Sequence, residues 1–170
     1  IYRSIYYKRD KNQKRINTDE MVARIGSWKD NNLQIRCARE AIRLINYYIE
    51  NHISFNQETT LSGKSIIRNI KKARQEGFYV VMNYIGVDNC DIAKERVKIR
   101  VMKGGHGISE RDIERRYYES LNNLKKILGI CNEINIYDNT NEFKYVAYIC
   151  NGTVKWQRNT IPNWSRKILQ

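Results

Sequence analysis

At 170 residues the chain has the length of one domain, and with 41% hydrophobic and 29% charged residues its composition excludes general disorder. No apolar run approaches the ~20 residues needed to cross a bilayer, and the charged stretch 8–15 is unlike a signal peptide. The net charge of +13, from 31 basic and 18 acidic residues, fits an anionic partner (nucleic acid, a nucleotide or a phosphorylated sugar) as well as broadly solvated basic faces, and does not choose among them.

In chain order, residues 1–8 read as the end of a helix and 14–17 as a short strand. Thr18 or Asp19 is placed to cap the next helix. From 33 to 51, Ile35, Ala38, Ile42, Ile45 and Ile49 recur at helical spacing. A strand over 53–57 runs into the polar turn Gln57-Glu58-Thr59-Thr60-Leu61-Ser62-Gly63-Lys64-Ser65, and a helix over 65–75 stops at Gly77. Residues 78–87 are almost continuously apolar, which predicts a strand buried on both faces. A basic helix over 90–103 breaks at Gly104-Gly105-His106-Gly107, and another runs from Ser109-Glu110 to Leu128. A strand over 133–137 ends in Asp138-Asn139-Thr140. Asn151-Gly152, between 144–149 and 153–157, is a two-residue hairpin signal, and a short helix follows Pro162. Val97, Val101, Ile113, Tyr117 and Leu121 read as core positions. Cys37, Cys90, Cys131 and Cys150 form no C-x-x-C pair and read as reduced thiols of a cytoplasmic protein. His52 and His106 stand far apart, so no histidine-based metal site is expected.

Strands alternating with helices predict an α/β fold with a mainly parallel sheet. Loops that follow the strands then share one edge, so Asp19, the turn at 58–62, Val87-Asp88 and Asp138-Asn139 are expected to converge. A turn from strand to helix is where such folds hold anions, on free N–H groups and the positive end of the helix dipole. Gly63-Lys64-Ser65 comes close to a phosphate-binding loop but puts Glu58 where its first glycine belongs. The better reading is a polar turn that sets Glu58, Thr59, Thr60 and Ser62 around a substrate. Asp19 can take a proton from a substrate hydroxyl or cap its helix, and Glu58 can hold a hydroxyl or pair with a lysine. Arg111, Arg115 and Arg116 follow a glycine hinge. Arg111 and Arg115 share a helix face, and can clamp a polyphosphate or form a solvated face with Glu110, Asp112 and Glu114.

Five motifs then fall in order over roughly residues 15–148. They are Asn17-Thr18-Asp19-Glu20, Phe55-Asn56-Gln57-Glu58-Thr59-Thr60-Leu61-Ser62-Gly63, Ala93-Lys94-Glu95-Arg96-Val97, Gly104-Gly105-His106-Gly107-Ile108 with Arg115-Arg116-Tyr117, and Tyr137-Asp138-Asn139. Together they resemble the zeta toxin family of P-loop kinases, in particular its chromosomal branch. The resemblance implies one adenylate-kinase-like, three-layer domain over 1–170 that uses ATP and Mg²⁺. It would phosphorylate a hydroxyl of a nucleotide sugar such as UDP-N-acetylglucosamine, with an antitoxin protein as a further partner to look for. By the same resemblance Asp19 is the catalytic base, and Glu58, Thr59, Thr60 and Ser62 hold the substrate. Arg115 or Arg116, helped by Arg111, clamps the ATP phosphates, and Asp138-Asn139 lies near the adenine.

The family's phosphate loop, and the strand before it, fall ahead of the position equivalent to Ile1. The resemblance therefore implies that this chain lacks its first strand, its P-loop and the hydroxyl ligand for Mg²⁺, and is inactive without them. Lys64-Ser65 stands at the wrong strand-to-helix junction to replace the loop. Two other readings stand beside this one: a basic nucleic-acid-binding module and an inactive gene remnant. A nucleic-acid module needs exposed aromatics for stacking. Tyr6, Tyr7, Tyr47, Tyr48, Tyr79 and Tyr84 fall mostly at apolar positions, which makes nucleic acid the less favoured partner.

Overall fold

The structure is a computed structural model that describes residues 13–169, and the helix expected over 1–8 lies outside them. The chain divides into two compact units, Ile1–Thr59 and Thr60–Gln170.

The first unit contains β1 (Lys14–Ile16), α1 (Thr18–Ile25), α2 (Asn31–Glu50) and β2 (Phe55–Gln57). β1 and β2 pair in parallel, with Arg15 opposite Asn56. The cap of α1 is Asn17, not Thr18 or Asp19: its backbone is extended and its side chain accepts from the Glu20 N–H at 3.1 Å. Asp30 caps α2 through the N–H groups of Asn32 and Leu33. α2 buries Leu33, Cys37, Ala41, Ile45 and Ile49, a stripe repeating every fourth residue. Ile45 and Ile49 were expected there. Ile35, Ala38 and Ile42 are instead exposed, because the stripe starts at Leu33 and recruits the small Cys37 and Ala41. Leu33 and Cys37 pack with Val22, and Met21 and Trp28 close over them.

The second unit contains α3 (Ser65–Gln75), β3 (Val81–Gly86), α4 (Cys90–Met102) and α5 (Glu110–Ile127). It continues with β4 (Glu133–Asp138), β5 (Lys144–Cys150), β6 (Thr153–Gln157) and α6 (Asn163–Leu169). Its four strands lie in the order β3-β4-β5-β6. β3 and β4 are parallel, while β4–β5 and β5–β6 are antiparallel. The fold is therefore α/β, with parallel pairing where helices cross over and antiparallel pairing in the terminal hairpin. Gly77, at φ +81°, ends α3 as expected: its N–H reaches Arg74 O, and the Phe78 N–H reaches Ala73 O.

Ile66 and Ile70 of α3, Leu124 and Ile127 of α5 and Trp164 and Ile168 of α6 join the inner face of the sheet in one core. β3 is not buried on both faces. Tyr84 and Gly86 face the core and are buried, but Val81 and Ile85 stand on the opposite face and are exposed, and β3 pairs with β4 alone among the described residues. α4 buries no side chain fully, and Val101 is exposed. Ile113 is buried, while Val97, Tyr117 and Leu121 are half-buried. Of the tyrosines read as apolar positions, Tyr84 is buried and Tyr48 half-buried, but Tyr47 and Tyr79 are exposed; Tyr6 and Tyr7 lie outside the described residues. Among the described residues no helix is long and apolar enough to cross a membrane.

Candidate functional site

The residues singled out from the sequence fall into three clusters, one in the first unit and two in the second. The first is built on the β1–β2 register. Opposing Arg15 to Asn56 brings Glu58 within reach of a side chain 43 residues earlier. The Arg15 guanidinium donates to both Glu20 and Glu58. Asn17 Nδ2 donates to the other Glu58 oxygen at 2.9 Å, and the Glu58 N–H donates to Ile16 O at 3.0 Å. Burial alone would lower the pKa of Arg15, but the hydrogen bonds to Glu58 and then Glu20 outweigh it and the net shift is upward. Glu58 is thus held by an arginine and an asparagine rather than by a lysine. Asp19, on the first turn of α1, is exposed and relieved of capping by Asn17. Among the described residues its carboxylate makes no hydrogen bond or ion pair. Thr59 is exposed.

The second cluster fastens the turn 60–63 to α5. Leu61, at φ +54°, is buried in the core and pins the turn, and Gly63 follows at φ +81°. Asn123 Nδ2 donates to Leu61 O and to Gly63 O, both at 2.9 Å. One Glu119 oxygen accepts from the Gly63 N–H and from Arg115 Nη1, each at 3.0 Å. Arg115 Nη2 donates to Asp112 at 2.9 Å. The hydroxyls of Thr60 and Ser62 lie 2.7 Å apart. Hydrogen bonding to Arg115 holds the Asp112 and Glu119 carboxyls below the ordinary range. The partners of Arg115 are therefore Asp112 and Glu119, while Glu114 takes Lys94 at 3.4 Å. Arg115 reaches a phosphate only by leaving two carboxylates. Arg111 is exposed and Arg116 half-buried on the same helix.

The third cluster lies where the parallel strands β3 and β4 end, and there two of the four stretches expected to converge, Val87-Asp88 and Asp138-Asn139, come together. The Asn139 N–H donates to Gly86 O at 2.9 Å, and the Asp88 N–H to Thr140 Oγ1 at 3.0 Å. Tyr117 OH reaches Val87 O and Asp88 O, both at 3.1 Å, and Arg96 donates to Asn139 O and Thr140 O. Asp138 is buried, and its Oδ1 accepts from Trp164 Nε1 at 2.8 Å and from Thr140 Oγ1 at 2.7 Å. Its carboxylate therefore holds α6 and its own loop. The positioning roles of Arg15, Asn123, Glu119 and Trp164 were not read from the sequence. Asn123 left a signal, a polar residue beside Leu124 on the buried face of α5; the others depend on long-range register and left none.

Across 102 residues, 60% of this chain and 73% of the relative, the sequence is 41% identical to a protein of Haemophilus influenzae described as uncharacterized. The chain belongs to that protein's family. No model of a protein family matches the chain, and no solved structure matches it.

Proposed function

We propose that the chain forms part of a zeta-toxin-like P-loop kinase, with an adenylate-kinase-like core, acting on a hydroxyl of a nucleotide sugar such as UDP-N-acetylglucosamine. The observation that carries this reading is Asp19: an exposed carboxylate at the start of α1, left uncommitted because Asn17 does the capping. Asp19 accepts the proton of the substrate hydroxyl as that oxygen attacks phosphorus. Glu58, fixed by Arg15 and Asn17, presents an oriented acceptor to a second substrate hydroxyl, with Thr59, Thr60 and Ser62 beside it in sequence. ATP would supply the γ-phosphoryl group, its bond to the β-phosphate oxygen breaking as ADP leaves. Arg111, Arg115 and Arg116 match its anionic tail in charge, Arg115 after releasing Asp112 and Glu119. The Asp138 carboxylate and the Asn139 backbone are already bonded, so in this reading it is the Asn139 side chain that borders the adenine. Mg²⁺ would accompany the ATP phosphates, which it binds with several waters and few protein ligands.

The test is ATP-dependent phosphorylation of UDP-N-acetylglucosamine by the protein extended upstream through a phosphate loop. Asp19→Asn is expected to slow turnover about 10²- to 10⁴-fold while ATP still binds. Unchanged turnover in that variant removes Asp19 as the base. A folded, extended protein that phosphorylates no nucleotide sugar removes the kinase reading.

A further inference from the structure

The β5–β6 edge carries a cavity of about 570 Å³ lined by Lys144, Trp156, Gln157, Arg158, Asn159 and Thr160. None of the residues assigned to the proposed kinase site lines it. Trp156 is 46% exposed although its indole is large and apolar. One face of it stacks on Tyr145, with ring centres 5.1 Å apart and planes 10° from parallel. Tyr145 is itself fixed: its OH donates to Asn135 at 2.8 Å, and its ring packs on Tyr137 at 5.1 Å. The indole is thus held flat from behind with its surface partly open to solvent. Such a preset ring suits another flat ring, because little side-chain freedom is lost on stacking.

Two cations line the same cavity. The Arg158 N–H donates to Val146 O at 3.0 Å, which continues the β5–β6 pairing past β6 and fixes Arg158 two residues on from Trp156. Among the described residues Arg158 makes no ion pair. Lys144 pairs with Glu142 at 3.1 Å, and both are well exposed, so the pair is weak and yields to a phosphate. Gln157, Asn159 and Thr160 add neutral donors and acceptors. An open aromatic face beside paired cations is the chemistry that holds a base and its phosphate together.

We propose that this cavity binds a nucleobase carrying a phosphate, the base stacked on Trp156 and the phosphate between Lys144 and Arg158. The ligand is either a free nucleotide or the end of a single-stranded nucleic acid, which share this chemistry. The site does not depend on the kinase reading, because binding here needs neither a phosphate loop nor turnover.

Isothermal titration of the 170-residue chain with AMP, adenosine, inorganic phosphate, glucose 6-phosphate and a short 5′-phosphorylated oligodeoxyadenylate tests it. AMP or the oligonucleotide is expected to bind, with adenosine, phosphate and the sugar phosphate weaker by about tenfold or more. Trp156→Ala should weaken binding by about tenfold or more, and Trp156→Phe by much less, since a phenyl ring still stacks. If Trp156→Ala does not fold, Lys144→Glu with Arg158→Glu carries the test and should abolish binding. AMP binding as tightly as the oligonucleotide identifies a free nucleotide. Tighter oligonucleotide binding that falls steeply with salt identifies single-stranded nucleic acid. No binding of either, or binding unchanged in both the Trp156→Ala and the charge-reversed variants, overturns the proposal.

Discussion

Gly86 sits where a side chain has no room. A Cβ built there would lie 2.4 Å from the Trp164 ring, and that same indole hydrogen-bonds the buried Asp138. Gly86→Ala is expected to lower stability by about 1–3 kcal/mol in urea unfolding, because the indole must shift away from its bond. An unchanged midpoint and slope would show that the ring moves freely. Asn123 is a second such position: Asn123→Leu leaves the carbonyls of Leu61 and Gly63 without their donor and should cost about 1–3 kcal/mol by the same measurement. Cys131 gives a dependence on pH. Burial pushes its thiol up to about 11 from an ordinary 9, so folding favours the protonated form. That contribution is complete below pH 9 and is lost as pH rises toward 11. Cys131→Ala should therefore flatten part of the alkaline decline in stability, and an identical decline would contradict the assignment. In the native protein the half-exposed Cys90 and Cys150 should react with a thiol reagent well before the buried Cys37 and Cys131.

At the scale of elements, α4 contributes least to the buried interior among the described helices. It buries no side chain fully, and Ile99, Val101 and Met102 remain exposed, whereas α5 plants Ile113, Asn123, Leu124 and Ile127 in the interior. Amide hydrogens of α4 should exchange faster than those of α5 and β4. Equal protection would mean that α4 opens only with the whole unit. The order of elements was legible in the sequence because helix and strand periods are local. The hairpin at Asn151-Gly152, the end of α3 at Gly77 and the break before α5 all appear where expected. What depended on tertiary context was not legible. Ile35 and Ile42 are more apolar than Cys37 and Ala41, yet the packing of α2 selects the smaller residues. β3 reads as a buried strand because Val81 and Ile85 are apolar, and composition does not tell an edge strand from a central one. Of the candidate site, the convergence at the β3 and β4 ends followed from parallel topology. The Arg15–Glu58 pairing needed the register of two strands far apart in the chain, and the Arg115–Glu119 and Arg115–Asp112 pairs were indistinguishable from the other carboxylates on that helix.

For the whole molecule, the two units differ in what they bury. Unit Thr60–Gln170 has a four-stranded sheet packed with three helices, while the described residues of Ile1–Thr59 form a two-stranded sheet and bury Ile16, Val22, Leu33, Cys37, Ala41, Ile45 and Ile49. Domains below ~60 residues bury too little surface to be robust. A fragment of residues 60–170 is therefore expected to unfold cooperatively on heating, and a fragment of 13–59 to show no such transition. A non-cooperative melt of the longer fragment would mean that it relies on its neighbour. The half-buried edge strand β3 also bears on how the protein behaves in bulk. Among the described residues the β3 edge beside Val81 and Ile85 is unpaired, and such an edge is a template for any extended chain, including the same edge of another copy. A net charge of +13 keeps copies apart at low ionic strength, and salt shortens the reach of that repulsion to ~10 Å at 0.1 M. Solutions of this protein should therefore cloud as salt is raised rather than as it is removed, with Val81→Lys delaying the onset of scattering.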